Sequence, residues 1–191
     1  MKKFIFFLLA IALFASCKHK ATNTEIPSDS IFYLSSDWQN QNGQTLKLNE
    51  LKGKTLVVVM IYTTCRTACP LLVADMKAIE QKINPDYLDK VSLVLVSIDP
   101  EIDTPERLKK FAKDRNMDAP HWVFLRGNEA STQEFANVLS MKYKKISPVD
   151  FSHSNIISIF NPVGKLVDQE EGTGINAAKV AEKVNETVKA N

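Results

Sequence analysis

Cys65 and Cys69 are the residues of this sequence best suited to chemistry. They stand in Thr63-Thr64-Cys65-Arg66-Thr67-Ala68-Cys69-Pro70, directly after the apolar, β-branched run at 55–62. The thiolate is the form that attacks a disulfide or binds a metal. A cysteine at a helix N-terminus meets unpaired amides and the positive end of the helix dipole, and both favour that form. Arg66 adds positive charge nearby. Such a pair can serve as a stapling disulfide, a redox couple or half of a metal site. Stapling is the weakest use, because so small a loop constrains little of the unfolded chain. On a helix, residues four apart have Cβ atoms ~5–6 Å apart. Two sulfurs so placed can grip one soft metal ion, whereas a disulfide across that span needs local adjustment.

A metal site needs a donor from elsewhere, and the chain has three histidines. His19 lies in a polar stretch near the start, and His121 precedes Trp122 at a strand start. His153 lies in the polar break Phe151-Ser152-His153-Ser154-Asn155, directly before an apolar strand at 155–160. A strand before the motif and a helix after it lead us to expect a thioredoxin-like fold, in which the loop before the 155–160 strand approaches the cysteine motif. Thioredoxins usually carry a Thr-Pro pair in this loop, and it is absent here. His153 is therefore the candidate third ligand. Two thiolates and one imidazole make a soft, low-coordinate set that favours Cu(I), and imidazole also suits copper. The same donors can bind zinc.

The elements that must position these residues are legible from periodicity. Asn42-Gly43 between segments 31–38 and 45–48 signals a hairpin. Residues 55–62 and 91–98 read as buried strands. Pro70 opens a helix with Leu72, Met76, Ile79 and Ile83 on one face. Thr104-Pro105-Glu106 starts a helix that runs to about Asn116. Residues 122–125 form a short strand, and Ser131 with Glu134 reads as the capping box of a further helix. A second hairpin turns at Asn161-Pro162-Val163-Gly164, and residues 175–189 close the chain as a helix. Strands alternating with helices imply an α/β fold with a mixed central sheet flanked by helices and an N-terminal β-hairpin. The closing hairpin gives the mixed edge of thioredoxin-like folds.

Three motifs in this order resemble the Sco/SenC family. They are Cys65-Arg66-Thr67-Ala68-Cys69-Pro70, then Asp99-Pro100-Glu101-Ile102-Asp103-Thr104-Pro105, then His153-Ser154. The Trp122-x-x-Leu125-x-Gly127 stretch and the Asn161-Pro162-x-Gly164 turn also resemble it, and the likeness covers about residues 31–175. It implies a thioredoxin-like fold and one copper ion, Cu(I) with Cu(II) also accommodated, on Cys65, Cys69 and His153. It further implies delivery of copper to the dinuclear centre of a respiratory oxidase, or reduction of that centre's cysteines. The partners implied are the copper-accepting oxidase subunit, or another copper protein, and a thiol reductant. Ile102 stands where the family usually has arginine, which affects any charge pair served by that arginine. Asp103 is a candidate for supporting the site or docking a partner, with helix capping as its plain alternative.

The first residues address the chain. Lys2 and Lys3, an apolar run at 4–14 and the small Ala15-Ser16 read as a secretory signal. The run is too short to cross a bilayer, which takes ~20 apolar residues. Cys17 directly follows the small pair, as in bacterial lipoproteins, so it is the expected site of lipidation, although Phe14 stands where leucine is usual. The expected organisation is a signal at 1–16, a flexible tether at 17–30 and one domain at 31–191, anchored in the cell envelope.

Composition excludes several classes. The chain has 24 basic and 22 acidic side chains, and loss of 1–16 leaves equal numbers, with no basic stripe suited to nucleic acid. Met60, Met76, Met117 and Met141 sit mostly on apolar faces and read as core filling rather than copper ligands. An enzymatic alternative survives: a thiol–disulfide oxidoreductase with Cys65 as nucleophile and Cys69 as resolving thiol. A peroxidase of the thioredoxin superfamily fits poorly, since the motif does not look like that family's.

Overall fold

The computed structural model describes residues 26–191 except Thr67, Val149 and Thr173. Nine strands are described: β1 (Asp37–Asn40), β2 (Thr45–Lys47), β3 (Thr55–Ile61), β4 (Val91–Ser97), β5 (Trp122–Arg126), β6 (Tyr143–Ser147), β7 (Asp150–His153), β8 (Ile156–Phe160) and β9 (Leu166–Glu171). Four α-helices join them: α1 (Ala68–Glu80), α2 (Pro105–Asp114), α3 (Glu129–Val138) and α4 (Ala177–Lys189). Seven strands form one sheet in the order β2-β1-β5-β4-β3-β8-β9, while β6 and β7 pair apart from it. β3 with β4 and β4 with β5 run parallel, and the remaining neighbours run antiparallel. Parallel neighbours need crossovers, which α1 and α2 supply.

Every residue of β3 and β4 is buried, as their unbroken apolar runs require of central strands. α1 turns Leu72, Met76 and Ile79 into the core and packs against α4, while Ile83, expected on the same face, is buried in the turn past its end. On the sheet's flank, Phe111 of α2 meets Phe124 of β5 edge-on at 6.2 Å. Trp38 of β1 meets Phe135 of α3 in the same way at 5.5 Å. Met60, Met76, Met117 and Met141 are all core residues, as their apolar neighbours suggested. The fold is a thioredoxin-like mixed sheet flanked by helices.

Some local expectations shift. The first hairpin forms, but residues Ile31–Tyr33 coil into a 3-10 turn capped by Ser30 before β1 begins. The folded unit also starts earlier than residue 31, because Ile26 packs on the core and the Ser30 hydroxyl donates to Val163 O at 2.6 Å. α3 is capped by Asn128, with Ser131 as its reciprocal partner, rather than by Ser131 and Glu134. Glu134 instead accepts from the Ser36 hydroxyl at 3.0 Å. The β6–β7 hairpin is absent from the sequence reading: its Tyr143–Ser147 strand is mostly exposed and carries no core-facing alternation. The proposed signal and most of the tether, residues 1–25, lie outside the described residues.

Gly164 shows how tightly the second hairpin is docked. It has φ +77°, and a Cβ there would collide with the Ser30 hydroxyl and come within 2.7 Å of Phe32 Cδ2. Its carbonyl also accepts from Ile31 N at 3.0 Å. Gly164→Ala is expected to lower stability by about 2 kcal/mol, from left-handed strain plus overpacking. Urea unfolding at constant m-value measures it, and an unchanged midpoint would show that the N-terminal turn gives way freely.

Candidate metal centre

The site is built at the end of β3. The strand's ladder with β4 runs in register from Thr55↔Val91 to Ile61↔Ser97. Tyr62 continues the strand direction, buried to 1% exposure. A turn follows, in which Cys65 N donates to Tyr62 O at 3.3 Å. α1 starts at Ala68, so Cys69 lies in its first turn and Pro70 needs no amide partner there. Cys65 is therefore not on the helix, as its spacing had suggested. Its sulfur accepts the Cys69 N–H at 3.3 Å, in the manner of a cap.

His153 ends β7, paired with Tyr143 across the hairpin. Its Nδ1 lies 3.0 Å from Ser154 O. A carbonyl accepts, so Nδ1 carries the proton and Nε2 keeps its lone pair. Nε2 faces Cys69 Sγ at 3.8 Å. The Cys65, Cys69 and His153 ligand atoms all lie within 4.8 Å of one another. Both cysteines are thiols in this structure. Cys65 and His153 are half-buried and Cys69 is buried, so the cluster opens to solvent on one side. An imidazole nitrogen and two sulfurs around one point form a pocket for a soft, low-coordinate metal ion with a side left open for exchange.

The electrostatics depart from the sequence expectation. A helix N-terminus and Arg66 were expected to favour thiolates. Burial instead pushes the Cys69 thiol far above its ordinary value, and the neighbouring Cys65 sulfur adds to this. Without metal, burial therefore favours the protonated form of Cys69. A bound cation would displace it, coupling metal binding to proton release.

Asp103 is fully buried beside the motif rather than capping α2, whose cap is Thr104. Its carboxylate accepts from Thr63 N at 3.2 Å, from the Thr63 hydroxyl, and from Ser97 Oγ at 2.6 Å. Burial pushes this carboxyl up, while those hydrogen bonds and the Arg107 charge pull it down. Arg107 Nε donates to Thr63 Oγ1 at 2.6 Å and stands 3.8 Å from Asp103 Oδ1. A cation is thus supplied from the first turn of α2, whereas Ile102 is exposed. Asp99 is also buried, and its Oδ2 has no hydrogen-bond partner. His121 stands away from the site, with Nε2 2.6 Å from Glu80 Oε1, which also accepts from Trp122 Nε1 at 2.8 Å.

Two further residues touch the cluster. The Tyr62 hydroxyl donates to Asp150 Oδ1, and its ring meets His153 edge-on at 5.8 Å. Sequence reasoning placed Tyr62 as a plain strand residue and passed over Asp150. No periodicity connects two residues 88 positions apart.

Fold and donor set together define a thioredoxin-like protein with a Cys2His cluster at the strand–helix junction. The SCO1/SenC family model matches residues 32–189, and the chain belongs to that family. It is 31% identical to the SCO1 protein homolog of Bacillus subtilis over 138 residues, which is 71% of each chain. A relative in Stutzerimonas stutzeri is 24% identical over 131 residues, 66% of this chain and 63% of that one. Among solved structures, a SCO1/SenC family lipoprotein of Bacillus anthracis superposes with a TM-score of 0.72 at 25% identity, covering 79% of this chain and 91% of that one. BsSco superposes with a TM-score of 0.71 at 28% identity, covering 81% and 92%.

Burial pushes the Asp99 carboxyl up, partly offset by the Lys145 charge. The folded state therefore holds this proton more tightly than the unfolded chain, and stability is lost as pH rises from the unfolded value through the folded one. Asp99→Asn removes the carboxylate charge. It is expected to raise Tm at pH 7, with the gain shrinking as pH falls towards 4 and the wild-type carboxyl protonates. In a domain of this size about 1 kcal/mol moves Tm by about 2–4 °C. Thermal melts at both pH values measure it, and equal shifts at pH 7 and pH 4 would contradict the assignment.

Proposed function

We propose that this protein is an envelope-anchored copper carrier, which binds one copper ion through Cys65, Cys69 and His153 and passes it to another copper protein. The observation that carries the reading is the convergence of those three donor atoms within 4.8 Å. Thiolate ligands favour soft ions such as Cu(I), and the imidazole is equally suited to copper. The Stutzerimonas stutzeri relative is designated a candidate copper-binding protein. BsSco has a disulfide switch and belongs to the Sco family of cytochrome c oxidase assembly proteins. These relatives support a role in assembling the dinuclear copper centre of a respiratory oxidase, with the oxidase subunit as recipient and a thiol reductant keeping Cys65 and Cys69 reduced.

When bound, copper supplies a soft electrophilic centre that an incoming thiolate can attack. The chain's own part is to present the donors. His153 offers Nε2 because its other nitrogen is held by Ser154 O. The half-exposed Cys65 is the sulfur that a recipient can reach, and the buried Cys69 is shielded. A Cys65–Cys69 disulfide would consume both sulfurs and prevent loading.

That same asymmetry favours a second reading. An accessible Cys65 and a buried Cys69 also suit a thiol–disulfide oxidoreductase, with Cys65 attacking a substrate disulfide and Cys69 resolving the mixed disulfide. Such an enzyme has no need of His153.

Copper stoichiometry on the reduced chain separates the two. Wild type is expected to retain about one Cu(I) per chain against a weak chelator, as a Cys2His set implies. His153→Ala is expected to weaken retention by more than the ~10–100-fold that loss of an outer partner costs. Cys65→Ser, Cys69→Ser and prior disulfide formation are expected to abolish it. No retained copper, together with dithiol reductase activity unchanged in His153→Ala, would leave the oxidoreductase.

The anchor is tested separately. The signal-like start and Cys17 support lipidation, and the Bacillus anthracis relative is a lipoprotein. Cys17→Ser is expected to end incorporation of labelled fatty acid and to release the protein from membranes. Membrane retention of the unlabelled variant would point to an uncleaved apolar segment instead.

A further inference from the structure

One arm of the cluster hangs on an element that the main sheet does not hold. β6 and β7 pair with each other in a sheet of their own, and His153 is the last residue of β7. Its link into β8, two residues on, ties this end of β7 to the main sheet, and the aim of its Nε2 depends as well on what ties the rest of the hairpin to the core. Cys65 and Cys69, by contrast, follow directly from β3, which is paired on both sides.

Tyr62 meets the hairpin at its other end. Its hydroxyl donates to Asp150, the first residue of β7. The same carboxylate accepts Phe151 N–H at 3.0 Å, and that amide also lies 3.3 Å from the tyrosine oxygen. The Tyr62 ring packs 5.1 Å from Phe151 and edge-on to His153 at 5.8 Å. Burial raises the pKa of the phenol, and Cys65 is near enough to help raise it. One buried phenol thus touches the hairpin's first residue and its last residue, with the first cysteine close by. A buried tyrosine hydroxyl needs a partner, and here the partner sits three residues before the imidazole on a short strand.

We propose that Tyr62 is a positioning residue of the metal centre: its hydroxyl, bonded to Asp150, latches the β6–β7 hairpin so that the His153 imidazole stays opposite Cys69. The inference rests on the Cys2His reading of the site. Without the latch, the hairpin is held by the packing of Phe151, Tyr143 and Met141 on the core and by its short link into β8, ties that secure its open end and middle, whereas the Tyr62 hydroxyl bonds the first residue of β7. The imidazole would then sample several positions, and each ligation event would require its reordering. Outer partners of ligating histidines contribute about 10–100-fold in metal affinity.

The test uses the full reduced chain in detergent micelles. Cu(I) affinity is read by competition with a chromophoric chelator for wild type, Tyr62→Phe, Asp150→Ala and Asp150→Asn, each with and without His153→Ala. Nitrogen-15 spectra of the metal-free imidazoles are recorded in parallel. Tyr62→Phe and Asp150→Ala are expected to lower affinity about 10-fold. Asp150→Asn keeps an acceptor and is expected to restore most of it. In the His153→Ala background Tyr62→Phe should have no further effect. The His153 resonances should broaden or shift in metal-free Tyr62→Phe, with the melting temperature within a few degrees of wild type. Equal losses with and without His153 would overturn the latch, as would wild-type affinity in Asp150→Ala. If wild type itself retains no copper, the copper reading falls, and the metal-free spectra alone then decide: unchanged His153 resonances in Tyr62→Phe overturn the latch, and perturbed ones sustain it.

Discussion

Strand β3 is hydrogen-bonded along both edges, parallel to β4 and antiparallel to β8, and all its side chains are buried. Its far end is consequently among the most firmly placed points in the molecule, and the metal centre is attached there. Tyr62, Thr63 and Cys65 are the next residues along the chain, and the helix that carries Cys69 begins within one turn. Closely packed interiors resist small displacements, so donors fastened to such a strand inherit its precision. α1 adds its own restraint, because its inward side chains fill the space between the sheet and α4.

Two braces extend that rigidity to either side of the cysteine motif. On one side, the buried Asp103 collects Thr63 and Ser97, with Arg107 supplying the opposing charge from α2. A buried carboxylate is costly unless it is hydrogen-bonded and paired, and this one is both. On the other side, Tyr62 reaches Asp150 on the hairpin. The first brace joins elements that already share a sheet or a crossover. The second joins the end of β3 to a hairpin that lies outside the main sheet. The cation that faces Asp103 comes from Arg107, one helical turn further along the chain.

The cysteine motif, the two central strands and the face of α1 were all legible because each is written locally, in apolar runs or a helical period. His153 could be selected because the chain has few histidines and that one precedes a strand. What escaped was tertiary. The hairpin's first strand has Lys144, Lys145 and Ile146 exposed in succession, so neither period marks it. The links Tyr62–Asp150 and Arg107–Thr63 pair residues 88 and 44 positions apart, a distance no window covers. Cys65 was assigned to the helix because spacing alone cannot say where a first turn begins. The thiolate expectation for Cys69 failed for a related reason, since a dipole can be read from a motif but depth cannot.

The separation of the donors in sequence has a kinetic consequence. Cys65 and Cys69 are local neighbours and can meet in an unfolded chain, as any short loop closes within about 10–100 ns. His153 lies 84 residues beyond Cys69, and it arrives only once β8 has paired across β3. Such non-local pairings form slowly compared with local ones. A nascent chain is thus exposed first to oxidation of its two thiols and only later offers the complete set of donors. The folded state is thus the gatekeeper that decides when the chain becomes competent for metal.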